Sequence, residues 1–194
     1  MKKNMNVNRL GLLTLLTAAL MIGTVAPLAA ADGDVFGQAG VVSIGGGGGT
    51  HASVGGGASG FIGEHLAVFG ELNYVPTGDY GLSTADVGIS SRLIQAGGGV
   101  RAYLPMKWDH LRLYVPVAGG ILRWTFTGSG SGVSVSTSAN GGYFATGFGA
   151  EIGHKFGVRP EFRYSRYVIS FAGVSASSNV VSVGATFFFR FGGD

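Results

Sequence analysis

In the stretch RPEFRYSRY, residues 159–167, Arg159, Glu161, Arg163 and Ser165 occupy every second position, and Pro160, Phe162 and Tyr164 fill the positions between them. An extended strand throws successive side chains to opposite faces, so this segment carries one charged face and one apolar face. The same period of two recurs along the chain from residue 32 onward, and no segment of useful length shows a helical period. Eight such segments are read, at 35–44, 52–62, 66–75, 92–104, 111–124, 142–152, 158–168 and 180–191. Each is near or above the roughly nine to eleven residues that a tilted strand needs to cross a bilayer. Two environments satisfy the alternation: a soluble sheet with its charged face in water, or a barrel with lipid outside and a polar lumen inside.

The two ends of the chain narrow that choice. Lys2, Lys3 and Arg9 precede an apolar run from Leu10, and Ala29 and Ala31 then stand at signal-peptidase spacing before Asp32. Residues 1–31 therefore read as a secretory signal peptide and 32–194 as the exported domain. Three of the 13 Lys and Arg fall in that leader and none of the 10 Asp and Glu does, so the exported part balances ten against ten. A neutral domain gives no electrostatic footprint for nucleic acid. With no cysteine, the domain is held without disulfides and has no thiolate metal site. Beyond the leader no apolar run approaches about 18 residues, so no spanning helix is available. An exported, 46% hydrophobic chain without one is either a soluble β domain or a membrane barrel.

The connections alternate in length. Short turns fall at 63–65, 105–110 and 153–157, and longer polar loops at 77–91, 127–141 and 170–179, with an intermediate one at 45–51. If both termini lie on one side, every short turn shares that side and every long loop lies on the other, the asymmetry of bacterial outer-membrane barrels. One face of the strands is apolar or small. The other gathers Glu71, Glu151, Glu161, Arg101, Arg112, Arg159, Arg163 and Arg190. A wet face would favour Lys and Thr and confine Gly to turns. Three carboxylates and five guanidiniums among small residues suit a narrow lumen in which ions pair, and eight strands close a barrel that side chains just fill.

The last segment, SVGATFFF at 182–189, is the most specific motif. A polar Ser182 is followed by Gly184 and then by aromatics at alternate positions, Phe187 and Phe189 among them. With it, the whole exported part resembles the small outer-membrane β-barrels that include the membrane domain of outer-membrane protein A, the opacity proteins and the adhesion and invasion barrels. The resemblance implies an all-β, eight-stranded, antiparallel up-and-down transmembrane barrel in the outer membrane. It further implies a final strand read by the barrel assembly machinery, and a structural or surface-interaction role with no cofactor and no chemistry of its own. A narrow pore for small solutes and a lipid A-modifying enzyme are the alternatives.

Against catalysis, His51 and Ser53 form the only His-x-Ser pair, near the first loop and without an evident acidic partner. Against a metal, His65, His110 and His154 sit in or beside turns of different hairpins, whose tips are expected to lie apart around the rim. Arg92, Arg123 and Arg166 fall at the outer ends of three strands, beside Tyr80, Trp124 and Tyr167. Guanidinium forks there suit lipopolysaccharide phosphates, with snorkelling at the rim as the equal alternative. A further surface ligand would be met by loops of Gly, Ser, Thr and Ala, which do not name it.

Overall fold

The computed structural model describes residues 32–46, 48–82, 87–105, 108, 110–130, 133–171 and 174–192. The expected leader lies outside them. Eight strands follow in order: β1 (Gly33–Ile44), β2 (Gly49–Ile62), β3 (Leu66–Leu82), β4 (Val87–Tyr103), β5 (Leu111–Gly130), β6 (Val133–Gly153), β7 (Phe156–Phe171) and β8 (Val174–Phe191). Each pairs antiparallel with its sequence neighbour, and β8 pairs with β1 to close the barrel.

The register fixes the barrel's shape. Stepping across the ladders from Gly33 through Gly60, Val68, Val100, Val117, Thr146, Tyr164 and Val181 returns to β1 at Ser43, ten residues along (33 to 43). For eight strands that stagger implies a tilt of about 40° and a backbone radius of roughly 8 Å. Each residue then climbs about 2.5 Å along the axis.

The alternation sorts as the sequence reading expects on the outside. In β5, Val115, Val117 and Ile121 are exposed between buried Tyr114, Pro116, Ala118 and Leu122. Ile121 is 70% exposed and Phe148 65%, values that water would penalise and hydrocarbon would not. Outward apolar residues run from Leu111 to Ile121 in β5 and end at Arg123. That is a band of about 25 Å, the height of the hydrocarbon-facing belt of such barrels. We call the end that carries Gly33 and Phe191 the lower end.

Two expectations are corrected. The stretches at 77–91, 127–141 and 170–179 are mostly strand: β3 runs to Leu82, β5 to Gly130 and β6 from Val133, β7 to Phe171 and β8 from Val174. Their Gly and Ser content suggests loops, yet the antiparallel ladders continue through them, and hydroxyls meet across strands at Thr125–Ser138 (3.3 Å) and Thr127–Ser136 (3.4 Å). β3 enters this upper region through a register shift between Pro76 and Gly78, where Gly78 takes φ 95°. The second correction concerns the inner face, whose charges, among the described residues, lie in its lower half. Higher up it carries uncharged polar residues, Asn73 and Gln95 among them, and then an apolar layer in which Val42, Ile44, Val75, Leu93, Leu122 and Val180 are buried together.

Inward glycines make room for the lumen's large rings. A Cβ on Gly149 would overlap Cζ of Tyr114, whose ring is buried, and one on Gly97 would overlap the Tyr143 hydroxyl. Gly149→Val is expected to cost about 1 to 3 kcal/mol, measured by urea unfolding in detergent.

Candidate functional site

The lower lumen is a layer of buried ions. Arg159 of β7 is fully buried. It donates from Nε to Glu151 Oε2 at 2.8 Å and from Nη1 to Asp34 Oδ1 at 3.2 Å, and its Nη2 reaches Asp34 Oδ2. Its guanidinium lies 4.0 Å from the ring centre of Phe188. Glu151 is the hub: it also accepts from Arg190 Nη2 at 2.6 Å and from the Tyr103 hydroxyl at 2.9 Å, with Arg112 Nη1 3.7 Å away. Higher up, Arg163 bridges Glu71, at 2.5 Å, and Glu161, while the Tyr114 hydroxyl donates to Glu161 at 2.7 Å. Buried charges persist when paired and hydrogen-bonded in this way.

Seven of the eight expected lumen residues join these two clusters. Arg101 does not. It is buried, donates from Nη1 to Ser59 Oγ at 3.1 Å, and reaches no carboxylate among the described residues. It is held between rings instead, 4.2 Å from the centre of Phe69 and 5.0 Å from that of Phe36, where the aromatic faces attract the cation. Arg112 stands at the lower rim with its side chain 30% exposed, donating to the Glu64 carbonyl. The residue that sequence reasoning missed is Asp34, wholly buried and bonded by Arg159 and by Ser59 Oγ at 2.5 Å. Beginning β1 at residue 35 hid it, although Asp34, Phe36 and Gln38 share one parity and all turn inward.

Above the ions lies a polar cavity of about 70 Å³ lined by Gln38, Asn73, Gln95, Tyr143 and Ser165. Gln95 donates to the Tyr167 hydroxyl and Gln38 to Asn73. The apolar layer of Val42, Ile44, Val75, Leu93, Leu122 and Val180 covers the cavity.

On the outside, Arg92, Arg123 and Arg166 all stand where the apolar band ends. Arg92 is opposite Thr125, two residues from Arg123, so these two are diagonal neighbours on one face. Arg123 Nη2 donates to Ser138 Oγ at 3.4 Å, and Arg166 Nη2, two strands away, to Ser177 Oγ at 3.2 Å. The aromatics expected beside them turn elsewhere: Tyr167 is buried in the lumen, Trp124 packs on its apolar layer, and the Tyr80 side chain lies outside the described residues. Among the described residues, Tyr74 and Tyr164 are the exposed tyrosines near this level, because their parity is outward.

In β8, Phe187 and Phe189 are outward and Ser182 and Gly184 inward. Phe189 pairs with Val35 of β1 and Phe156 of β7, its ring 4.9 Å from that of Phe156, so the expected assembly motif is the closing strand. At the lower rim the turn tips are not all apart. The rings of His110 and His154 meet edge-on at 4.4 Å, because the β4–β5 and β6–β7 turns are neighbours and Gly153 N donates to the His110 carbonyl. Among the described residues no group of three His, Cys, Asp or Glu converges as a metal site. His51 is tied to the Gly48 carbonyl.

Residues 15–187 match the family described as outer membrane protein beta-barrel domain. Neisserial surface protein A is similar in structure, with a TM-score of 0.58 at 12% identity over 82% of this chain and 97% of that one. Ail, the attachment invasion locus protein of Yersinia pestis, gives 0.54 at 14% identity over 81% and 97%. A major outer membrane protein from Thermus thermophilus gives 0.56 at 9% identity over 82% and 99%. No curated protein matches the chain in sequence. Closed antiparallel topology, an outward apolar band, a polar lower lumen and a family match across most of the chain agree: the protein belongs to the outer membrane protein beta-barrel domain family.

Proposed function

We propose that this chain is a non-catalytic outer-membrane barrel with a closed lumen, which works as a structural and surface-interaction protein through its upper, outer end. The observation that carries this reading is the stacking of two closed layers. Ion pairs of Asp34, Glu151, Arg159, Arg190, Glu71, Arg163 and Glu161 fill the lower lumen, and six aliphatic side chains fill it above. A solute would have to break paired ions in one layer and hydrate an apolar one in the next. Residues 1–31 serve as the leader removed on export, and Ser182, Gly184, Phe187 and Phe189 present the final strand to the assembly machinery. Planar-bilayer recording tests the closed lumen. Current traces should stay at the bilayer baseline, and a stable, large unitary conductance would replace this reading with the pore.

Arg92 and Arg123 form the paired cation site for lipopolysaccharide phosphate, with Arg166 as a separate contact. Their level at the top of the apolar band is where lipid headgroups lie. Snorkelling alone would leave the arginines indifferent to headgroup charge. Barrels refolded with lipopolysaccharide should gain thermal stability over barrels in neutral detergent, and Arg92→Ala with Arg123→Ala should remove most of that gain. An undiminished gain in the double variant would assign them to snorkelling.

A further inference from the structure

The barrel wall is uneven at its upper end. β1 and β2 stop at Ile44 and Gly49, near the level of the arginines, whereas β5 and β6 continue to Gly130 and Val133. β5 remains paired on both sides: Val87 of β4 faces Gly130, and β6 follows β5 to its end. β6 does not. Its last pair with β7 is Asn140 with Ser170, and among the described residues Val133–Thr137 has no partner on that side. This segment therefore presents a free sheet edge, and all five of its residues are exposed, Val133 at 65% and Val135 at 67%. Edge strands exposed to water are ordinarily guarded by lysine, proline, a bulge or an inward charge. VSVST has none of these.

We propose that this edge pairs antiparallel with the same edge of a second copy held in an apposed membrane, so that the barrel joins outer-membrane surfaces to one another. The proposal rests on the surface-interaction reading above and names its partner.

Two arguments select a second copy. First, the segment is complementary to itself: with a two-fold axis at Val135, Val135 faces Val135, Ser134 faces Ser136 and Val133 faces Thr137. The odd-numbered β-branched side chains then meet on one face and the hydroxyls on the other, with no charge to oppose the approach. Second, geometry decides where that copy must be. Copies in one membrane are related by an axis along the membrane normal, and strands tilted by about 40° would cross at about 80°, which no ladder tolerates. An axis in the membrane plane, normal to the β6 wall, reverses the strand at any tilt and places the second barrel in the facing membrane. Five residues form a weak contact alone, and many copies between two surfaces supply the avidity.

The test uses the full barrel in neutral phosphatidylcholine vesicles loaded with dye. Light scattering should show vesicles carrying the wild-type chain clustering, and vesicles carrying Ser134→Lys with Ser136→Lys staying dispersed. The heat-dependent gel shift confirms that both are folded. Because the chain has no cysteine, single cysteines report the register. Under oxidation Val135→Cys should give a disulfide dimer between two mixed vesicle populations. Thr137→Cys alone should not, since its copies would stand about 14 Å apart, beyond disulfide reach. Thr137→Cys mixed with Val133→Cys should. Dispersed wild-type vesicles, clustering that survives the lysines, or equal dimer yield from Val135→Cys and Thr137→Cys would each overturn the proposal. Dye retention in the same vesicles reads the closed lumen separately.

Discussion

Glu151→Ala is expected to cost about 3 to 5 kcal/mol of folding free energy, because it strips partners from a buried cluster instead of deleting a surface pair. Glu151 has no exposed side-chain surface and receives Arg159, Arg190 and Tyr103 at 2.6 to 2.9 Å. Without it Arg190 loses its carboxylate, and Arg159 retains Asp34 alone. Asp34→Ala should cost a similar amount, since Arg159 and Ser59 both depend on it. Glu161→Ala should cost less, because Arg163 keeps Glu71 at 2.5 Å. Glu64→Ala, on an exposed turn, should change stability by no more than about 0.5 kcal/mol. Urea titrations of the refolded barrel give this ordering, and equal, small effects for all four would mean that water screens the lumen charges.

Val117→Arg is expected to cost about 2 to 4 kcal/mol in a bilayer, the range for a charge facing lipid near the midplane. Val117 is outward, opposite Val100 and Thr146, and six residues above Leu111, which places it about 15 Å along the axis from the lower edge of the band. Leu113, on the same face, is only two residues from that edge, so Leu113→Arg should cost only about 0 to 1 kcal/mol. Unfolding in lipid vesicles separates the two. A tolerant Val117→Arg would show that this face does not meet hydrocarbon.

The outward face was legible in the sequence because lipid accepts only apolar or small side chains, so the period of two stays clean from Leu111 to Ile121. The inner face was legible only where it carries charge. In GVVSI of β1, Val41 turns to lipid and Val42 to the lumen, and no pattern of polarity distinguishes them; only the pairing register does. The glycine run of β2 is silent for the same reason. The strand ends read as loops because serine, threonine and glycine above the lipid satisfy a water-facing ladder as well as they satisfy a loop. Arg101 reads as one of the ion pairs because charge is visible in a sequence, whereas a ring poised over a guanidinium depends on which strands become neighbours.

The ion cluster also bears on the order of events in assembly. Glu151 and Arg159 lie across a single hairpin, eight residues apart in sequence, and meet as soon as β6 and β7 associate. Asp34, separated from Arg159 by 125 positions, reaches it only across β8, once the first and last strands have zipped together. Until then Arg159 has one acid instead of two. Seam closure thus completes an electrostatic latch whose two halves sit at opposite ends of the polypeptide. Opening the finished barrel at β1–β8 would require releasing that latch in the same step, which makes the seam slow to part once it has shut.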